Sequence, residues 1–463
     1  MTSTATGASQ MYFEQFYLGC LAHASYLLGS RGEAVVIDPQ RDVDLYVETA
    51  EQLGLKICHI FETHLHADFV SGHKELAART GAKIYIGSKA GATFPHVPLH
   101  DGFELAFGQA KLKVLETPGH TPESICLLIT DEEKSSRPWA VLTGDTLFIG
   151  DVGRPDLSPS HTPAQLAGLL YDSLHDKLMA LPDEVIVYPA HGAGSLCGRN
   201  MRSERSSTIG TERLTNYALQ IPSRDEFIQQ LTSNLPARPE YFLKDAAINR
   251  EGAPALADLS SLPGLSPAEV RELIEQGVPA LDVRSNDQFA AGHVPGSINI
   301  ALSGQFATWA GTILGLAARP ILISEGDEQL NEACLRLARV GIDAERGFLA
   351  GGVEAWRTAG FEFATIPQMT AQDLRARSPF ESIQILDVRR EPEWNAGHLP
   401  NSRLWPLDKF AQQFPDLAKS TPLLVHCKSG YRSMIACGLL QKVGYTSVAN
   451  LSGGYDEWIK TQP

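Results

Sequence analysis

The sequence Thr63-His64-Leu65-His66-Ala67-Asp68-Phe69 decides how the N-terminal part of this chain is organised. It follows the apolar run Ile57-Cys58-His59-Ile60-Phe61, which is typical of a β-strand. Two imidazoles and a carboxylate therefore lie close together where a strand pattern ends. A strand end fixes the backbone, and the following loop lets alternate side chains converge. Because imidazole and carboxylate are ligands of zinc, iron and manganese, the stretch predicts a metal site.

Three other strand patterns also end in a residue that can bind a metal. Their ends read Thr117-Pro118-Gly119-His120, Thr143-Gly144-Asp145 and Pro189-Ala190-His191. The predicted strands of this region cover residues 34–38, 57–61, 83–86, 112–115, 125–129, 140–142 and 185–188, and the predicted helices cover 42–53, 74–80 and 162–181. A His or Asp at each of four strand ends is hard to explain by chance, and it favours one shared site.

Length and composition restrict the class of protein. At 463 residues the chain is expected to form about three domains. A hydrophobic fraction of 43% with 20% charged residues is that of a globular protein. The net charge of −15 argues against nucleic acid or an anionic membrane as a partner. No apolar run is long enough to span a bilayer.

The location and assembly of the chain are predicted less directly. Residues 1–10 are small and polar, without the pattern of a signal peptide, and we expect a disordered tail. The seven cysteines form no C-x-x-C pair, which indicates free thiols in a reducing compartment. We therefore expect a cytoplasmic protein. The sequence leaves its oligomeric state open, with a homo-oligomer as one option.

The C-terminal part contains an internal repeat. Leu281-Asp282-Val283-Arg284 and Ala291-Gly292-His293-Val294-Pro295 recur as Leu386-Asp387-Val388-Arg389 and Ala396-Gly397-His398-Leu399-Pro400. Each copy alternates strand-like and helical patterns, so a parallel sheet flanked by helices is expected. A connecting stretch rich in Pro and Gly lies before the repeats, and we place a boundary near residue 250. The predicted domains are 11–250, 262–363 and 366–463.

The four strand ends together resemble the metallo-β-lactamase superfamily over about residues 11–235. This resemblance implies an αββα sandwich with a metal at one edge. The domain is more narrowly similar to the branch that contains the persulfide dioxygenases and glyoxalase II. The segments that resemble persulfide dioxygenases are Gly153-Arg154-Pro155-Asp156, Ser207-Thr208 and Glu212-Arg213-Leu214-Thr215-Asn216.

The resemblance implies a ligand set. It assigns one Fe(II) per chain to His64, His120 and Asp145, while His66, Asp68 and His191 orient ligands or hold a water. Glyoxalase II has a further histidine where this chain has Phe69, and a phenyl ring cannot bind a second metal. Two histidines and one carboxylate leave three adjacent positions for a thiolate and dioxygen.

The implied reaction converts a low-molecular-weight persulfide, dioxygen and water into a thiol and sulfite. Glutathione persulfide and coenzyme A persulfide are the expected substrates. Arg154 and Arg213 are predicted to bind the anionic carrier, because guanidinium groups bind carboxylates and phosphates in a bidentate manner. Surface ion pairs are the alternative for each of these arginines.

The two repeats resemble rhodanese domains. In the second, Cys427-Lys428-Ser429-Gly430-Tyr431-Arg432 matches the six-residue active-site loop of that family. Backbone N–H groups, the helix dipole, Lys428 and Arg432 would stabilise a Cys427 thiolate that accepts sulfur. The step runs either from thiosulfate to a thiol or from a persulfide to sulfite. Cys437 is expected in the core.

The first repeat lacks the cysteine. Its matching loop reads Ile323-Ser324-Glu325-Gly326-Asp327-Glu328-Gln329, in which either Ser324 or Glu325 replaces Cys427. Neither residue can carry a persulfide, and three acids would repel an anion. We predict a catalytically silent domain.

These observations favour an α/β protein that joins a persulfide dioxygenase to a sulfurtransferase, in sulfide oxidation or detoxification. The second hypothesis is a dizinc thioester hydrolase like glyoxalase II with rhodanese appendages. The third is a non-catalytic sulfur carrier or docking protein with a structural metal.

Overall fold

The computed structural model describes residues 11–233, 235, 238–256, 262–343, 345–377 and 383–460. The predicted N-terminal tail and the end of residues 366–463 lie outside this part of the chain. The chain divides into two compact units, of which the first holds the metal-type motifs and the second holds almost all of both repeats. In the described residues, no helix combines the length and the apolar character that crossing a membrane requires.

The described residues of the first unit form fourteen strands and six α-helices. Its strands are β1 Tyr12–Leu18, β2 His23–Ser30, β3 Glu33–Ile37, β4 Lys56–Glu62, β5 Lys83–Gly87, β6 Val97–Leu99, β7 Glu104–Phe107, β8 Ala110–Glu116, β9 Ile125–Asp131, β10 Ala140–Gly144, β11 Leu147–Phe148, β12 Asp151–Val152, β13 Ile186–Pro189 and β14 Ser207–Thr208. Its helices are α1 Asp44–Gln52, α2 His73–Thr80, α3 Pro163–Ser173, α4 Ile209–Thr215, α5 Arg224–Thr232 and α6 Tyr241–Glu251.

Two six-stranded sheets form the centre of this unit. The first has the order β1-β2-β3-β4-β5-β6, and the second has the order β14-β13-β10-β9-β8-β7. Apolar side chains from both sheets, such as Phe61 and Leu127, share one core. A second core joins α1 and α2 to the first sheet, and a third joins α3 and α5 to the second. The layers are therefore helix, sheet, sheet and helix, which confirms the predicted fold class.

All seven strands predicted in this region are present, within two residues at either end. The predicted helix over 162–181 is shorter. The α-helix ends at Ser173, and a π-helical turn follows over Leu174–Leu178. Strand β2 was not predicted because it is buried along its whole length and includes His, Ser and Gly, which break the expected apolar pattern.

Helix α6 lies where the sequence indicated only a connecting stretch. Its buried residues are Tyr241, Phe242, Asp245 and Asn249. Two of these four are polar, so the face that packs on the protein has no clear apolar period. The sequence pattern was therefore misleading, and the segment before residue 252 is an integral part of the first unit.

The second unit contains almost all of the two repeats, and the described residues of each repeat form five strands and several helices. The first repeat has β15 Gly264–Leu265, α7 Pro267–Glu275, β16 Ala280–Asp282, α8 Asn286–Ala291, β17 Ile298–Asn299, α9 Phe306–Leu314, β18 Ile321–Ile323, α10 Asp327–Ala338, β19 Gly347–Leu349 and α11 Gly352–Thr358. The second has β20 Gln368–Met369, α12 Ala371–Ala376, β21 Gln384–Asp387, α13 Glu391–Asn395, β22 Ser402–Leu404, β23 Leu423–His426, α14 Tyr431–Lys442, β24 Val448–Leu451 and α15 Gly454–Lys460.

The two repeats have the same topology. Their parallel sheets run β15-β19-β18-β16-β17 and β20-β24-β23-β21-β22, as the alternating pattern predicted. The strand register also fixes the alignment that the sequence left open. Asp282 pairs with Ile323 and Asp387 pairs with His426, so Ser324 occupies the position of Cys427.

Candidate functional sites

Three predicted metal ligands meet at one edge of the sandwich. His64 follows β4 of the first sheet, while His120 and Asp145 follow β8 and β10 of the second. All three are at most 1% exposed. One ligand atom from each lies within 4.8 Å of the others, and Asp145 Oδ2 is 3.4 Å from His120 Nε2 and 3.8 Å from His64 Nε2.

The chemistry of these atoms fits a metal cation. His64 Nε2, His120 Nε2 and Asp145 Oδ2 are buried, and none has a hydrogen-bond partner. Burial lowers the pKa of both histidines, so both are in the neutral form that binds metals. Burial alone would raise the pKa of Asp145, but His191, His64 and His120 together outweigh this and keep it well below its usual value. Two neutral imidazoles and an ionised carboxylate thus present free electron pairs to one point.

Hydrogen bonds fix the far side of each of these side chains. His64 Nδ1 lies 3.0 Å from the Thr63 hydroxyl, and His120 Nδ1 lies 2.9 Å from the backbone carbonyl of Arg154. His191 Nδ1 lies 2.7 Å from the other carboxylate oxygen of Asp145. Such outer contacts set the tautomer and direction of a ligand, which leaves the Nε2 atoms facing inward.

His191, Asp68 and His66 lie beside this point. His191 bridges two carboxylates, because its Nε2 atom is also 2.9 Å from Asp68 Oδ2. Burial would lower the pKa of His191, but Asp145 and Asp68 raise it well above its usual value. His66 Nε2 lies 3.2 Å from Asp38 Oδ1. These residues surround the cluster, and the role assigned to them from the sequence, orienting ligands or holding a water, stays a prediction.

The Phe69 side chain is fully buried against imidazole rings. Its ring centroid is 4.1 Å from that of His23 and 4.4 Å from that of His66. His23 was not identified from the sequence. It precedes any recognisable motif, and its only signal was a histidine at the start of an apolar segment.

Cys197 is a second residue that the sequence did not single out. Its thiol lies within 4.8 Å of ligand atoms of Asp68 and His191, and all three residues are buried. Burial, followed by the nearby carboxylates, raises the pKa of Cys197 well above its usual value. A second group of ligand-type side chains therefore adjoins the first.

Asn249 of α6 binds the backbone of the loop that contains residues 63–69. Its side-chain amide donates to the carbonyls of His66 and Phe69, at 2.7 Å each. Its oxygen accepts a hydrogen bond of 2.8 Å from the backbone N–H of Ser71. The helix that the sequence did not predict thus fixes three buried backbone groups next to the metal-type cluster.

The two predicted carrier-binding arginines contact protein groups. Arg154 is 5% exposed and forms a bidentate pair with Asp156, at 2.6 and 2.8 Å. Arg213 donates to the carbonyls of Met179 and Leu181 and pairs with Asp183. Arg154 is next to the cluster through its backbone, whereas Arg213 joins α4 to the segment after the π-helical turn.

The second site is the loop between β23 and α14. Cys427 is 1% exposed, and the backbone N–H of Gly430 points at its sulfur from 3.1 Å. The Ser433 hydroxyl lies 3.5 Å from the same sulfur. Gly430 has a φ of +105°, which residues with a side chain rarely adopt. The loop is therefore folded around the sulfur atom.

The two basic residues of this loop differ in their surroundings. Lys428 is exposed, whereas Arg432 forms a bidentate pair with Glu393, at 2.6 and 2.7 Å. Burial would raise the pKa of Glu393, but the Arg432 guanidinium outweighs this and lowers it to about 2. Arg432 is thus held in place by a partner that is ionised at neutral pH.

The corresponding loop of the first repeat has another structure. Three residues, Ser324–Gly326, separate β18 from α10, whereas four residues, Cys427–Gly430, separate β23 from α14. Glu325 accepts a hydrogen bond from Gln288, which occupies the position of Glu393. The loop therefore lacks the thiol, one residue of length and the basic partner.

Comparisons with known proteins agree with this architecture. Residues 18–191 match the family model of the metallo-beta-lactamase superfamily, and residues 266–359 and 370–461 match that of the rhodanese-like domain. The persulfide dioxygenase ETHE1 of Bos taurus mitochondria is 33% identical over 222 residues, which cover 46% of this chain and 77% of that protein.

This chain is also similar to proteins that are not named persulfide dioxygenases. A hydroxyacylglutathione hydrolase of Francisella tularensis subsp. novicida (strain U112) is 32% identical over 185 residues, which cover 39% of this chain and 68% of that protein. A solved structure described as a metallo-beta-lactamase from Staphylococcus aureus subsp. aureus COL is 35% identical with a TM-score of 0.66. The match covers 73% of this chain and 98% of the chain in that structure.

The layered fold and the His/Asp cluster at its edge define a metal-binding protein of the αββα class. The chain belongs to the metallo-β-lactamase superfamily, has persulfide dioxygenase homologues, and carries two rhodanese-like domains after its metal-binding domain.

Proposed function

We propose that this chain is a non-haem iron persulfide dioxygenase coupled to a sulfurtransferase. The observation that carries the proposal is the buried trio of unpartnered ligand atoms on His64, His120 and Asp145. The same chain holds a thiol, that of Cys427, at the centre of an anion-binding loop. Both features suit one chemistry, the handling of sulfane sulfur.

In this proposal the trio holds one Fe(II) per chain. Bound iron(II) would supply a redox-active centre able to bind a persulfide sulfur and dioxygen. The protein positions and charge-balances that centre. His191 keeps Asp145 ionised, the Arg154 carbonyl orients His120, and the buried surroundings exclude bulk water.

The products would be a thiol and sulfite, formed from a low-molecular-weight persulfide, dioxygen and water. Glutathione persulfide and coenzyme A persulfide are the proposed substrates. Arg154 and Arg213 remain candidates for contact with the carrier, although each would first have to exchange a protein partner. We also propose domain bounds of 11–250, 262–363 and 366–463, and a cytoplasmic location.

The sulfurtransferase step takes place at Cys427. Its thiolate attacks the outer sulfur of thiosulfate, the S–S bond breaks, and sulfite leaves with the bonding electron pair. A thiolate acceptor then attacks the outer sulfur of the Cys427 persulfide and regenerates the Cys427 thiolate. The reverse sequence moves sulfur from a persulfide to sulfite. Lys428 and the Gly430 N–H stabilise the anionic sulfur in either direction.

The test measures both activities in the full chain. Iron-loaded protein is given glutathione persulfide and coenzyme A persulfide in an oxygen electrode, and thiosulfate:thiol transfer is assayed separately. Asp145→Asn is expected to abolish oxygen uptake and leave transfer intact, whereas Cys427→Ser should do the reverse. Two zinc ions per chain with no oxygen uptake would refute the dioxygenase, and transfer by Cys427→Ser would refute the second site.

The dizinc thioester hydrolase is retained as a second candidate because of Asp68, His191 and Cys197. These three could hold a second ion next to the first, and a hydroxyacylglutathione hydrolase is among the relatives. Metal content separates the two enzymes. A structural metal, as in the third hypothesis, predicts that Asp145→Asn changes no turnover.

A further inference from the structure

The active-site loop of the second repeat is held by the first repeat. Tyr431 is the first residue of α14, yet its hydroxyl donates to the carbonyl of Ala301 in the silent repeat, at 2.8 Å. The Tyr431 ring lies on Gly304, where an added Cβ would be 2.5 Å from the ring carbons. Gly304 is therefore needed for the ring to lie there.

A second contact acts on the residue before Tyr431. The side-chain amide of Asn286, at the start of α8 in the silent repeat, donates to the carbonyl of Gly430 at 3.4 Å. The same carbonyl also accepts hydrogen bonds from its own repeat, from the Ser433 hydroxyl at 3.1 Å and from the Met434 N–H at 3.2 Å. Gly430 is also the residue whose N–H points at Cys427 Sγ. The silent repeat thus contacts the loop through the carbonyl of Gly430 and through the side chain that follows it.

The two repeats differ at this position in a way that suits the contact. Asn286 lies two residues after Arg284, and Glu391 lies two residues after the matching Arg389. Only the amide can donate to a carbonyl, because an ionised carboxylate accepts hydrogen bonds but does not donate them. The silent repeat carries the residue type that the contact requires.

We propose that the silent repeat positions the sulfur-binding loop, with Tyr431, Asn286 and Gly304 as positioning residues. This inference rests on the proposed role of Cys427. A glycine at φ +105° is free to adopt other conformations, so its N–H faces the sulfur reliably only when its own carbonyl and the residue that follows it are held. A fixed N–H donor stabilises the negative charge that develops on sulfur without reorganising during the reaction.

The experiment compares single variants of the full chain. Tyr431→Phe removes only the hydroxyl that bonds to Ala301, and Asn286→Ala removes the amide. The matched control is Gln441→Leu, at the other end of α14, where Gln441 contacts His293 of the silent repeat at 3.1 Å. Each variant is assayed for thiosulfate:thiol transfer, iron-dependent oxygen uptake and thermal unfolding.

We expect Tyr431→Phe to lower kcat for transfer by about tenfold, since loss of a single fixed donor typically costs ~100-fold or more and here the donor is displaced rather than removed. Asn286→Ala should lower kcat by less, because the Gly430 carbonyl keeps its bonds from Ser433 and Met434. KM for thiosulfate and oxygen uptake should stay near the wild-type values. Gln441→Leu should lower the unfolding temperature by as much as the two loop variants do, while keeping the wild-type kcat for transfer.

Wild-type kcat in both loop variants would overturn the inference, and so would an equal loss of kcat in Gln441→Leu. Cys427→Ser is included to separate this inference from the proposed function. If that variant still transfers sulfur, the role of Cys427 is wrong. If it is inactive while Tyr431→Phe and Asn286→Ala are fully active, only the positioning role is wrong.

Discussion

Replacing Asn249 with alanine tests what stabilises the loop over residues 63–72, which carries the candidate metal ligand His64. Asn249→Ala removes the partners of three backbone groups, the carbonyls of His66 and Phe69 and the N–H of Ser71, all on residues that are at most 1% exposed. An unsatisfied buried backbone group costs ~1–3 kcal/mol. With partial relaxation the loss is about 3–6 kcal/mol, a large part of the ~5–15 kcal/mol that keeps a domain folded.

The assay must resolve the two compact units, so we choose hydrogen exchange followed by mass spectrometry in a urea series. In Asn249→Ala, peptides that span residues 63–72 should lose protection at lower urea than in the wild type, and the protein should retain less iron. The matched control is Asn299→Ala. Asn299 bonds the carbonyls of Asp282 and Arg284 in the first repeat, at 2.9 Å each.

The control should lower protection in the repeat and leave residues 63–72 and the iron content unchanged. Wild-type urea dependence and iron content in Asn249→Ala would refute the reasoning. The same would follow if Asn299→Ala lowered the protection of residues 63–72 equally, because the effect would then not be local to α6.

Three further predictions concern single side chains. Because the folded-state pKa of Glu393 is about 2, below its usual 4.5, its pair with Arg432 stabilises the fold above pH 4.5, and this stabilisation is lost as the pH falls through 2. The difference in urea midpoint between the wild type and Glu393→Gln should be constant from pH 6 to 8 and shrink below pH 4.5, and a difference that grows in acid would contradict this. Gly454→Ala should abolish sulfur transfer, since its Cβ would lie 2.6 Å from the carbonyl oxygens of Cys427 and Lys428. Gly352→Ala, whose Cβ would lie 2.8 Å from the Ser324 carbonyl oxygen, should destabilise the first repeat and lower transfer only in part, through the contact of that repeat with Tyr431; equal transfer rates in the two variants would count against the proposed site. Phe69→His should raise zinc binding from one ion to two per chain by plasma emission spectrometry, and an unchanged ratio would show that this ring does not limit the metal count.

The sequence predicted most of the fold because its strands are short, apolar and followed by a polar residue. Where a buried surface is polar, prediction failed. Helix α6 packs through Asp245 and Asn249 as well as through aromatic rings, so its period was hidden. The loop alignment of the silent repeat required strand register, because gap placement alone could not decide between Ser324 and Glu325.

The functional sites were predictable to a similar degree and for a similar reason. Residues at strand ends are ordered by the sheets, so the meeting of His64, His120 and Asp145 agrees with the expectation that the strand ends share one site, whereas their selection as a ligand set came from the family resemblance. Residues in irregular segments, such as Cys197, have no periodic sequence pattern from which their position near the site could be predicted. Arg154 has its ion-pair partner Asp156 only two residues away, yet sequence spacing does not show whether such a pair forms.

The number of metal ions depends on charge as well as on ligands. Phe69 removes a nitrogen ligand, but Cys197 brings a sulfur near Asp68 and His191, so a count of ligands alone does not forbid a second ion. His191 is shared between the two groups, because Nδ1 lies 2.7 Å from Asp145 Oδ1 and Nε2 lies 2.9 Å from Asp68 Oδ2. A cation held by the second group would have to take the place of any proton on Nε2 and also draw the thiol proton from Cys197, whose pKa burial raises well above its usual value. Both requirements count against a second ion and support the proposed single Fe(II).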